Sequence, residues 1–151
     1  MDNPDVTRLP IPTSWPQDGG PFMTLPLVVT SDPETGVHNL GMYRSQVFGP
    51  DEVGLHWQKH KHGADHAEAS DDRMPVAICL GGPPQVIFSA ISPLPDNLSE
   101  YEFAGLLSGR RLKITKCLTN DLWVPADCDF VIEGYTLSLI HISEPTRPRI
   151  I

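Results

Sequence analysis

The stretch of residues 38–63, "HNLGMYRSQVFGPDEVGLHWQKHKHG", holds several side chains able to bind a metal ion or an anion. It contains one asparagine, Asn39, one arginine, Arg44, and a group of histidines that includes His56, His60 and His62. Imidazole nitrogens and amide oxygens ligate divalent cations, and a guanidinium group binds carboxylate or phosphate. Three interpretations are open: a metal site, an anion-binding cofactor site, or an ordinary pair of strands with a polar face.

The later polar residues of this stretch have the spacing of one strand face. Side chains two residues apart lie on the same side of a strand. The side chains of His56, Gln58 and His60 are therefore expected on one face of the run "VGLHWQKH". Trp57 and Lys59 are expected on the other face.

Asn39 and Arg44 precede this run on a strand of their own. Their positions differ by an odd number, so a regular strand would point the two side chains to opposite faces. Gly41 lies between them and could host a β-bulge that re-aims one of them. Joint action of Asn39 and Arg44 therefore depends on an irregularity in the strand.

The segment "HKHGADH", residues 60–66, comes close to the H-x-H-x-D-H metal loop of metallo-β-lactamases. It has one extra residue before Asp65, which would move Asp65 and His66 out of place. Zinc sites tolerate only small errors in ligand position, so the insertion counts against a zinc hydrolase. The other interpretation is that His62 and His66 are solvated polar residues of a hairpin.

Arg44 and Glu100 can each be interpreted from local context. Arg44 stands in an otherwise apolar strand, beside Tyr43 and close to Gln46, so it is expected to be at least half-buried and to need an anionic partner. An external phosphate or carboxylate would supply that partner. Glu100 is expected in the first turn of a helix, where the helix dipole favours an acidic residue.

The order of elements indicates an α+β domain whose core is a barrel-like sheet. Turns are expected at 31–36 and 49–52, the second joining two strands in a hairpin. A helix is expected to begin near Pro84, and Ser99 with Glu102 forms a capping-box pattern for another that Gly109 ends. The strand-like runs are 23–30, 38–48, 53–60, 74–81, 111–118, 122–125 and 128–137, and a further short helix is expected at 63–71.

Composition narrows the class of protein. The 151 residues have a formal net charge of -8, which argues against a nucleic-acid backbone as partner. The three cysteines, Cys79, Cys117 and Cys128, match no zinc spacing, and those in apolar runs are expected to act as small hydrophobic residues. The apolar runs are too short for a membrane helix, and no secretory signal is evident, so a cytoplasmic protein is expected.

Several collinear motifs between about residues 8 and 135 resemble the UbiD family of prenylated-FMN-dependent (de)carboxylases. They are "LPIPTSWPQDGGPFMTLPLVVTSDPETGVHNLGMYRSQ", "GLHWQKHKHGA", "RMPVAICLGGPP", "SPLPDNLSEYEFAGLLSG" and "KCLTNDLWVPADCDFVIEGY". The resemblance implies a flavin-binding split β-barrel with a few short flanking helices. It divides the chain into a Pro/Gly-rich lead-in at 1–22, a split-barrel domain at 23–136, and a tail at 137–151 that matches nothing in the family and is expected to be non-native.

The resemblance also implies roles for single residues. Asn39, His60 and Glu100 resemble the ligands of a divalent cation, usually Mn²⁺, that bridges the protein to the flavin phosphate. A K⁺ ion would be held by backbone carbonyls at Leu40 and around Ser89 to Ser92. Arg44 resembles the catalytic arginine that orients the substrate carboxylate. The residues expected along the cofactor are Met42, Tyr43, Arg44, His56, Trp57, Gln58, Lys61 and His62, together with the three metal ligands.

For the protein as a whole, the resemblance implies decarboxylation of a small aromatic or α,β-unsaturated acid, closest to the hydroxybenzoate-type branches. A flavin prenyltransferase would supply the cofactor, and the full-length protein would be a homo-oligomer. The acidic segment and outer domains of full-length relatives are not recognisable here, so the chain is expected to be an inactive fragment. The strands "PLVV", "VAICL" and "DFVIEGY" are expected to be exposed sheet edges. A flavin-binding split-barrel module without carboxylase activity remains the alternative.

Overall fold

The computed structural model describes residues 4–56, 73–95, 97–137 and 149–150. Within these ranges the chain forms mostly β-strands, with a single-turn 3-10 helix at Val6–Arg8 and two short α-helices, α1 (Pro84–Ser89) and α2 (Glu100–Ser108). The strands are β1 (Phe22–Met23), β2 (Leu27–Ser31), β3 (His38–Met42), β4 (Ser45–Gly49), β5 (Glu52–Leu55), β6 (Arg73–Leu80), β7 (Ile114–Lys116), β8 (Trp123–Pro125), β9 (Phe130–Leu137) and β10 (Arg149–Ile150).

Eight of these strands form one antiparallel sheet in the order β1-β4-β5-β10-β9-β6-β2-β3, and β7 pairs with β8 in a separate hairpin. The edges of the described sheet are therefore β1 and β3. The prediction that "PLVV" and "VAICL" form edges is wrong, because β2 and β6 each lie between two neighbours. The segment "DFVIEGY" pairs with β6, whereas β10 pairs only with Thr136 and Leu137 beyond it, so among the described residues its other side has no strand partner. Strand β10 falls inside the predicted tail, and the boundary near Thr136 stays a prediction.

The sheet separates two apolar cores, and β6 contributes to both. Val76 and Ile78 point into the first core, which is shared with β1, β4 and β5, while Ala77 and Cys79 point into the second core, which is shared with the helices and β8. Alternate residues of a strand face opposite sides, so a continuous apolar run is the pattern of a strand buried on both faces. The buried strand predicted for "MPVAICLG" is confirmed.

The prediction of one continuous strand from His38 to Phe48 is wrong. The segment forms two strands, β3 and β4, separated at Tyr43 and Arg44. Strand β3 pairs with β2 without a register shift, so Gly41 does not host the expected bulge. The chain is re-aimed instead by the break at Tyr43 and Arg44, after which β4 joins β1 and β5. The run predicted at 23–30 is likewise divided into β1 and β2.

The predicted turns and hairpins are confirmed where they are described. Asp32 accepts hydrogen bonds from the backbone N–H groups of Glu34 and Thr35, both at 2.8 Å, and Gly36 follows with φ of 70°. Positions with positive φ favour glycine, because a side chain there would clash with the backbone. Strands β4 and β5 form the predicted hairpin, with a register shift between Val47 and Gly49.

The two predicted helix starts are confirmed. Helix α1 begins at Pro84, where the missing N–H costs no intrahelical hydrogen bond. Helix α2 has the full capping box: the Ser99 side chain accepts from the N–H of Glu102, and the Glu102 carboxylate accepts from the N–H of Ser99. Gly109 ends the helix with φ of 62°. The short helix predicted at 63–71 lies outside the described residues.

The remaining described segments behave much as the sequence indicates. In the lead-in, the backbone N–H of Val6 donates to the carbonyl of Pro50 at 2.8 Å, and its side chain joins the first core. Cys79, Cys117 and Cys128 belong to or pack against the second core as free thiols. A hydrogen bond with Cys128 and burial raise the pKa of Cys79, so this thiol stays neutral. In the described ranges, no helix has the length and apolar character needed to cross a bilayer.

Candidate functional site

A cavity of about 880 Å³ opens where β3, the β3–β4 break, the end of β5 and the segment between α1 and α2 meet. Six of the residues singled out from the sequence line this cavity. They come from three separate parts of the chain, and only the fold brings them together. They are Asn39, Met42, Tyr43, Arg44, His56 and Glu100.

Asn39 lies near the start of β3 and is almost fully buried, with 6% of its surface exposed. Its side-chain Nδ2 atom has no hydrogen-bond partner among the described residues. A buried amide without a partner is costly, and the O and N of an amide can exchange places by rotation of the group. The Asn39 side chain therefore has the features of a ligand-binding group whose oxygen can be turned toward a cation.

Glu100 is the first residue of α2, and the Ser99 cap fixes the turn on which it stands. Its Oε2 atom accepts a hydrogen bond from the backbone N–H of Leu40 at 3.3 Å, across sixty positions of the chain. Strand β3 is a sheet edge, so this N–H points away from β2 toward the helix. Glu100 thus satisfies the exposed edge of β3 directly beside Asn39.

Arg44 and Tyr43 occupy the break between β3 and β4. Arg44 is exposed rather than half-buried as predicted, and its guanidinium carbon lies 5.5 Å from the centre of the Phe22 ring. A guanidinium above an aromatic face is held by a cation–π interaction. Tyr43 is buried and folds back over Gly41, where a Cβ atom would lie 2.7 Å from both Cζ and Oη of the ring. The backbone break therefore buries Tyr43 and presents Arg44 at the cavity wall.

His56 is the last described residue of the second predicted segment. It follows β5, is exposed, and lines the same cavity. The other predicted members of that segment, and the alternative zinc ligands, lie outside the described residues: Trp57, Gln58, His60, Lys61, His62, Asp65 and His66. In the described part of the chain, no three His, Cys, Asp or Glu side chains are grouped as a metal site.

The backbone positions expected to hold K⁺ also lie at this cavity. Leu40, Ala90, Ile91 and Ser92 line it, whereas Ser89 is fully buried and its hydroxyl donates to the Val86 carbonyl at 2.8 Å. The K⁺ site stays a prediction, since the lining fixes only which backbone groups are near.

A contact that the sequence analysis missed lies at the edge of the cavity, where His38 is one of the lining residues. The Nε2 atom of His38 accepts from the N–H of Trp123 at 3.2 Å, and its Nδ1 atom is 3.1 Å from the carbonyl of Gly36. The Tyr101 hydroxyl donates to the Trp123 carbonyl at 2.7 Å. The His38 and Tyr101 rings meet edge to face with centroids 6.5 Å apart. These partners are far apart in the chain, so no local pattern could have predicted the contact.

Burial favours the neutral forms of His38 and Tyr101 in this contact. Burial lowers the pKa of His38, and the hydrogen bond with the Gly36 carbonyl opposes that shift. An Nε2 atom that accepts a hydrogen bond has no proton, so the ring is neutral with its proton on Nδ1, facing Gly36. Burial also raises the pKa of Tyr101, which keeps its hydroxyl protonated as a donor.

The arrangement can bind an anion and a hard cation side by side. Asn39 and Glu100 offer an amide and a carboxylate oxygen, which are ligand types that Mg²⁺ and Mn²⁺ accept. Arg44 offers a planar guanidinium with two parallel N–H donors suited to a carboxylate or a phosphate. A ligand with a phosphate near the cation and a planar part near Tyr43 and His56 would match this distribution.

Comparison with known proteins gives the family. Residues 1–142 match the model of the UbiD domain family, described as the 3-octaprenyl-4-hydroxybenzoate carboxy-lyase Rift-related domain. An uncharacterised protein of Archaeoglobus fulgidus is 48% identical over 134 residues, which are 86% of this chain and 28% of that protein.

Solved structures of the same class share the fold. The UbiD-class enzyme HmfF from Pelotomaculum thermopropionicum, in an evolved dimeric form with prFMN, has a TM-score of 0.88 at 30% identity, covering 99% of this chain and 39% of that one. Vanillic acid decarboxylase from Sedimentibacter hydroxybenzoicus, in its closed form, has a TM-score of 0.86 at 34% identity, covering 91% and 31%. Apo 3,4-dihydroxybenzoic acid decarboxylase (AroY) from Klebsiella pneumoniae has a TM-score of 0.87 at 26% identity, covering 99% and 36%.

This chain therefore spans well under half the length of the relatives it matches. The family match extends over nearly all of the chain, and the structural match includes the strands and helices that surround the cavity. The chain belongs to the UbiD family, as its collinear motifs indicate.

Proposed function

We propose that this chain is the cofactor-binding part of a prenylated-FMN-dependent, non-oxidative decarboxylase of aromatic or α,β-unsaturated acids. The observation that carries the proposal is that Asn39, Arg44 and Glu100, which occupy separate positions in the family motifs, line the same cavity. Further support comes from HmfF, whose structures are complexes with prFMN and FMN. The eight-stranded sheet is, in this proposal, the split barrel that receives the flavin.

The proposed metal is Mn²⁺, with Asn39, His60 and Glu100 as ligands. Two of these groups fit the metal: Asn39 is buried and its Nδ2 atom has no described partner, and the bond from Leu40 to one oxygen of the Glu100 carboxylate orients that carboxylate. Oxygen donors together with one imidazole suit a hard-to-borderline cation better than a thiophilic one. When bound, Mn²⁺ supplies positive charge that holds the flavin phosphate. K⁺ is proposed beside it, on the carbonyls of Leu40 and the Ser89 to Ser92 segment.

The planar part of the cofactor is proposed to lie along the β3–β4 break. Met42, Tyr43, Arg44 and His56 line the cavity there, and the segment after His56 would complete the contacts through Trp57, Gln58, Lys61 and His62. When bound, the prenylated flavin supplies the electron-accepting chemistry of decarboxylation, and the protein supplies position and charge. The buried Tyr43 gives this wall a fixed surface, because its ring is held against Gly41.

Arg44 is the proposed catalytic residue. Its exposed guanidinium, held near the Phe22 ring, can form a bidentate pair with a substrate carboxylate and orient it toward the flavin. A 3-polyprenyl-4-hydroxybenzoate or a phenolic acid is the proposed type of substrate. The matched decarboxylases of vanillic acid and 3,4-dihydroxybenzoic acid act on phenolic acids, which favours this class.

The isolated chain is proposed to bind cofactor without turnover. The carboxylates that line the described cavity are Asp32 and Glu100. Asp32 is engaged in the turn before β3, and Glu100 is assigned to the metal. General acid–base participation is typically worth about 10²–10⁴-fold, and no other carboxylate among the described lining residues is left to act with Arg44, so turnover is expected to be very slow. A flavin-binding module without carboxylase activity is the alternative.

The complete protein is proposed to be a cytoplasmic homo-oligomer that obtains its cofactor from a flavin prenyltransferase. The evolved dimeric form of HmfF is one oligomeric member of this class.

The test is titration of FMN fluorescence by the purified chain, with and without Mn²⁺. We expect Mn²⁺ to tighten FMN binding, and Glu100→Gln to weaken the Mn²⁺-dependent part at least about tenfold, because a ligand charge is lost. Glu102→Gln is the matched control. It removes the same charge two residues away on α2, and Gln at that position still completes a capping box.

FMN binding that is equal with and without Mn²⁺, and equal in the two variants, would refute the metal assignment. Steady release of CO₂ from a phenolic acid by the isolated chain with prenylated FMN would refute the proposed lack of turnover. Mn²⁺-dependent FMN binding by the complete protein, with no decarboxylation of any phenolic or unsaturated acid, would favour the module without carboxylase activity.

A further inference from the structure

Three residues at the edge of the cavity connect the elements that hold the two described oxygen ligands. His38 begins β3, Tyr101 is the second residue of α2, and Trp123 begins β8. His38 precedes Asn39, and Tyr101 follows Glu100. The contact between these three residues is therefore one residue away from each proposed ligand.

Each of the three residues contacts the other two. The Trp123 backbone donates its N–H to His38 at 3.2 Å, and its carbonyl accepts from the Tyr101 hydroxyl at 2.7 Å. The His38 and Tyr101 rings meet at an interplanar angle of 87°. A single peptide segment on β8 thus binds β3 on one side and α2 on the other.

A further bond joins the same two elements on the cavity side. The N–H of Leu40 donates to Glu100 at 3.3 Å. Helix α2 also meets β3 through apolar packing, because Leu40 and Ala104 both lie in the second core and Tyr101 packs against it. The His38 contacts and the Leu40–Glu100 bond add directional contacts to this apolar packing, and these act on the residues next to Asn39 and Glu100.

We propose that His38, Tyr101 and Trp123 act as a clamp that positions Asn39 and Glu100 relative to each other. These are positioning residues: Tyr101 and Trp123 do not line the cavity, and both ring nitrogens of His38, which does line it, are engaged with Gly36 and Trp123. The significance of the clamp for cofactor binding rests on the metal role proposed above. The effect of the clamp on the Leu40–Glu100 bond does not rest on that metal role, because the bond is present without a metal.

The test uses two substitutions of His38 that separate shape from hydrogen bonding. His38→Phe keeps a ring against Tyr101 and removes the acceptor for the Trp123 N–H. His38→Gln removes the ring and can present its Oε1 atom to that N–H. Tyr101→Phe removes only the hydroxyl that binds the Trp123 carbonyl.

Two readouts are measured on the 151-residue chain. The first is hydrogen exchange at the Leu40 amide without metal, which reports how well Glu100 is held. The second is the dissociation constant for Mn²⁺ alone, from the electron paramagnetic resonance signal of the free ion. We expect His38→Phe to speed Leu40 exchange and to raise the Mn²⁺ dissociation constant, each about tenfold, in the range for residues that orient metal ligands. His38→Gln should return both to within about threefold of wild type, and Tyr101→Phe should change both in the same direction as His38→Phe.

Val76→Ala is the control for general destabilisation, because Val76 is fully buried in the core on the other face of the sheet. It should lower the unfolding midpoint while leaving both readouts near wild type. The clamp is overturned if His38→Phe leaves Leu40 exchange unchanged, if Val76→Ala accelerates it equally, or if His38→Gln rescues nothing. Fast exchange in His38→Phe with no Mn²⁺ binding by wild type would support the clamp and refute the metal role.

Discussion

Replacing Gly41 by alanine tests how the break at Tyr43 and Arg44 is built. Gly41 is buried in β3 opposite Val28, and a Cβ atom there would lie 2.7 Å from Cζ and Oη of Tyr43. The Tyr43 ring is 6% exposed and packed in the first core, so it cannot move aside without leaving that core. We expect Gly41→Ala to lower the free energy of unfolding by about 1–3 kcal/mol, the usual cost of overpacking.

The cause can be isolated with a second substitution. Tyr43→Leu keeps an apolar side chain but removes the distal ring atoms that a Cβ at Gly41 would meet. In this background Gly41→Ala should be neutral or stabilise by up to about 0.5–1 kcal/mol, the usual advantage of alanine over glycine in a strand. The two effects together predict a coupling free energy of about 1–4 kcal/mol between positions 41 and 43.

The assay is equilibrium urea denaturation of the four proteins, followed by circular dichroism and analysed with a common slope. The reasoning is refuted if Gly41→Ala costs the same in both backgrounds, because the clash would then not be with Tyr43. It is also refuted if Gly41→Ala is neutral in the wild-type chain. Either result would mean that contact with Tyr43 is not the reason for glycine at position 41.

Two further predictions concern α2 and β9. Ser99→Ala should cost about 0.5–2 kcal/mol in thermal or urea unfolding, because it removes the acceptor for the Glu102 N–H, whereas Ser99→Asp should retain most of the stability; equal losses in both variants would contradict the cap. Glu133 accepts from the N–H groups of Leu118 and Thr119 and from the Thr119 hydroxyl. Burial opposes its ionisation, yet these hydrogen bonds lower its pKa overall. A lowered carboxyl pKa adds stability above the unfolded-state value near 4.5, and this stability is lost as the pH falls through the folded-state value. Glu133→Gln should therefore cost about 1 kcal/mol at pH 7, and the gap to wild type should shrink below about pH 4.5; a gap independent of pH would contradict the assignment.

Much of the local structure could be predicted because its causes are local. The cap at Ser99, the proline at Pro84 and the turn at Asp32 each depend on residues within four positions of one another. The burial of β6 on both faces follows from its unbroken apolar run. These features need no knowledge of the rest of the chain.

The environment of Arg44 could not be predicted in the same way. Its exposure follows from the break that ends β3 at Met42 and starts β4 at Ser45. That break is favoured because the two halves pair with different neighbours, β2 on one side and β1 with β5 on the other. Pairing partners distant in sequence are decided by the whole sheet, so strand propensity alone indicates one continuous strand.

The sequence by itself determined most of the strands, the helix starts and, through its collinear motifs, the UbiD family and the residues expected at the site. The tertiary structure decided which of these residues meet. It brought Glu100 to the edge of β3 beside Asn39 and built the His38 contact with Trp123 and Tyr101. Hydrogen bonds across sixty or more positions depend on the packing of a helix on a sheet edge, and that packing is a property of the folded chain rather than of any segment.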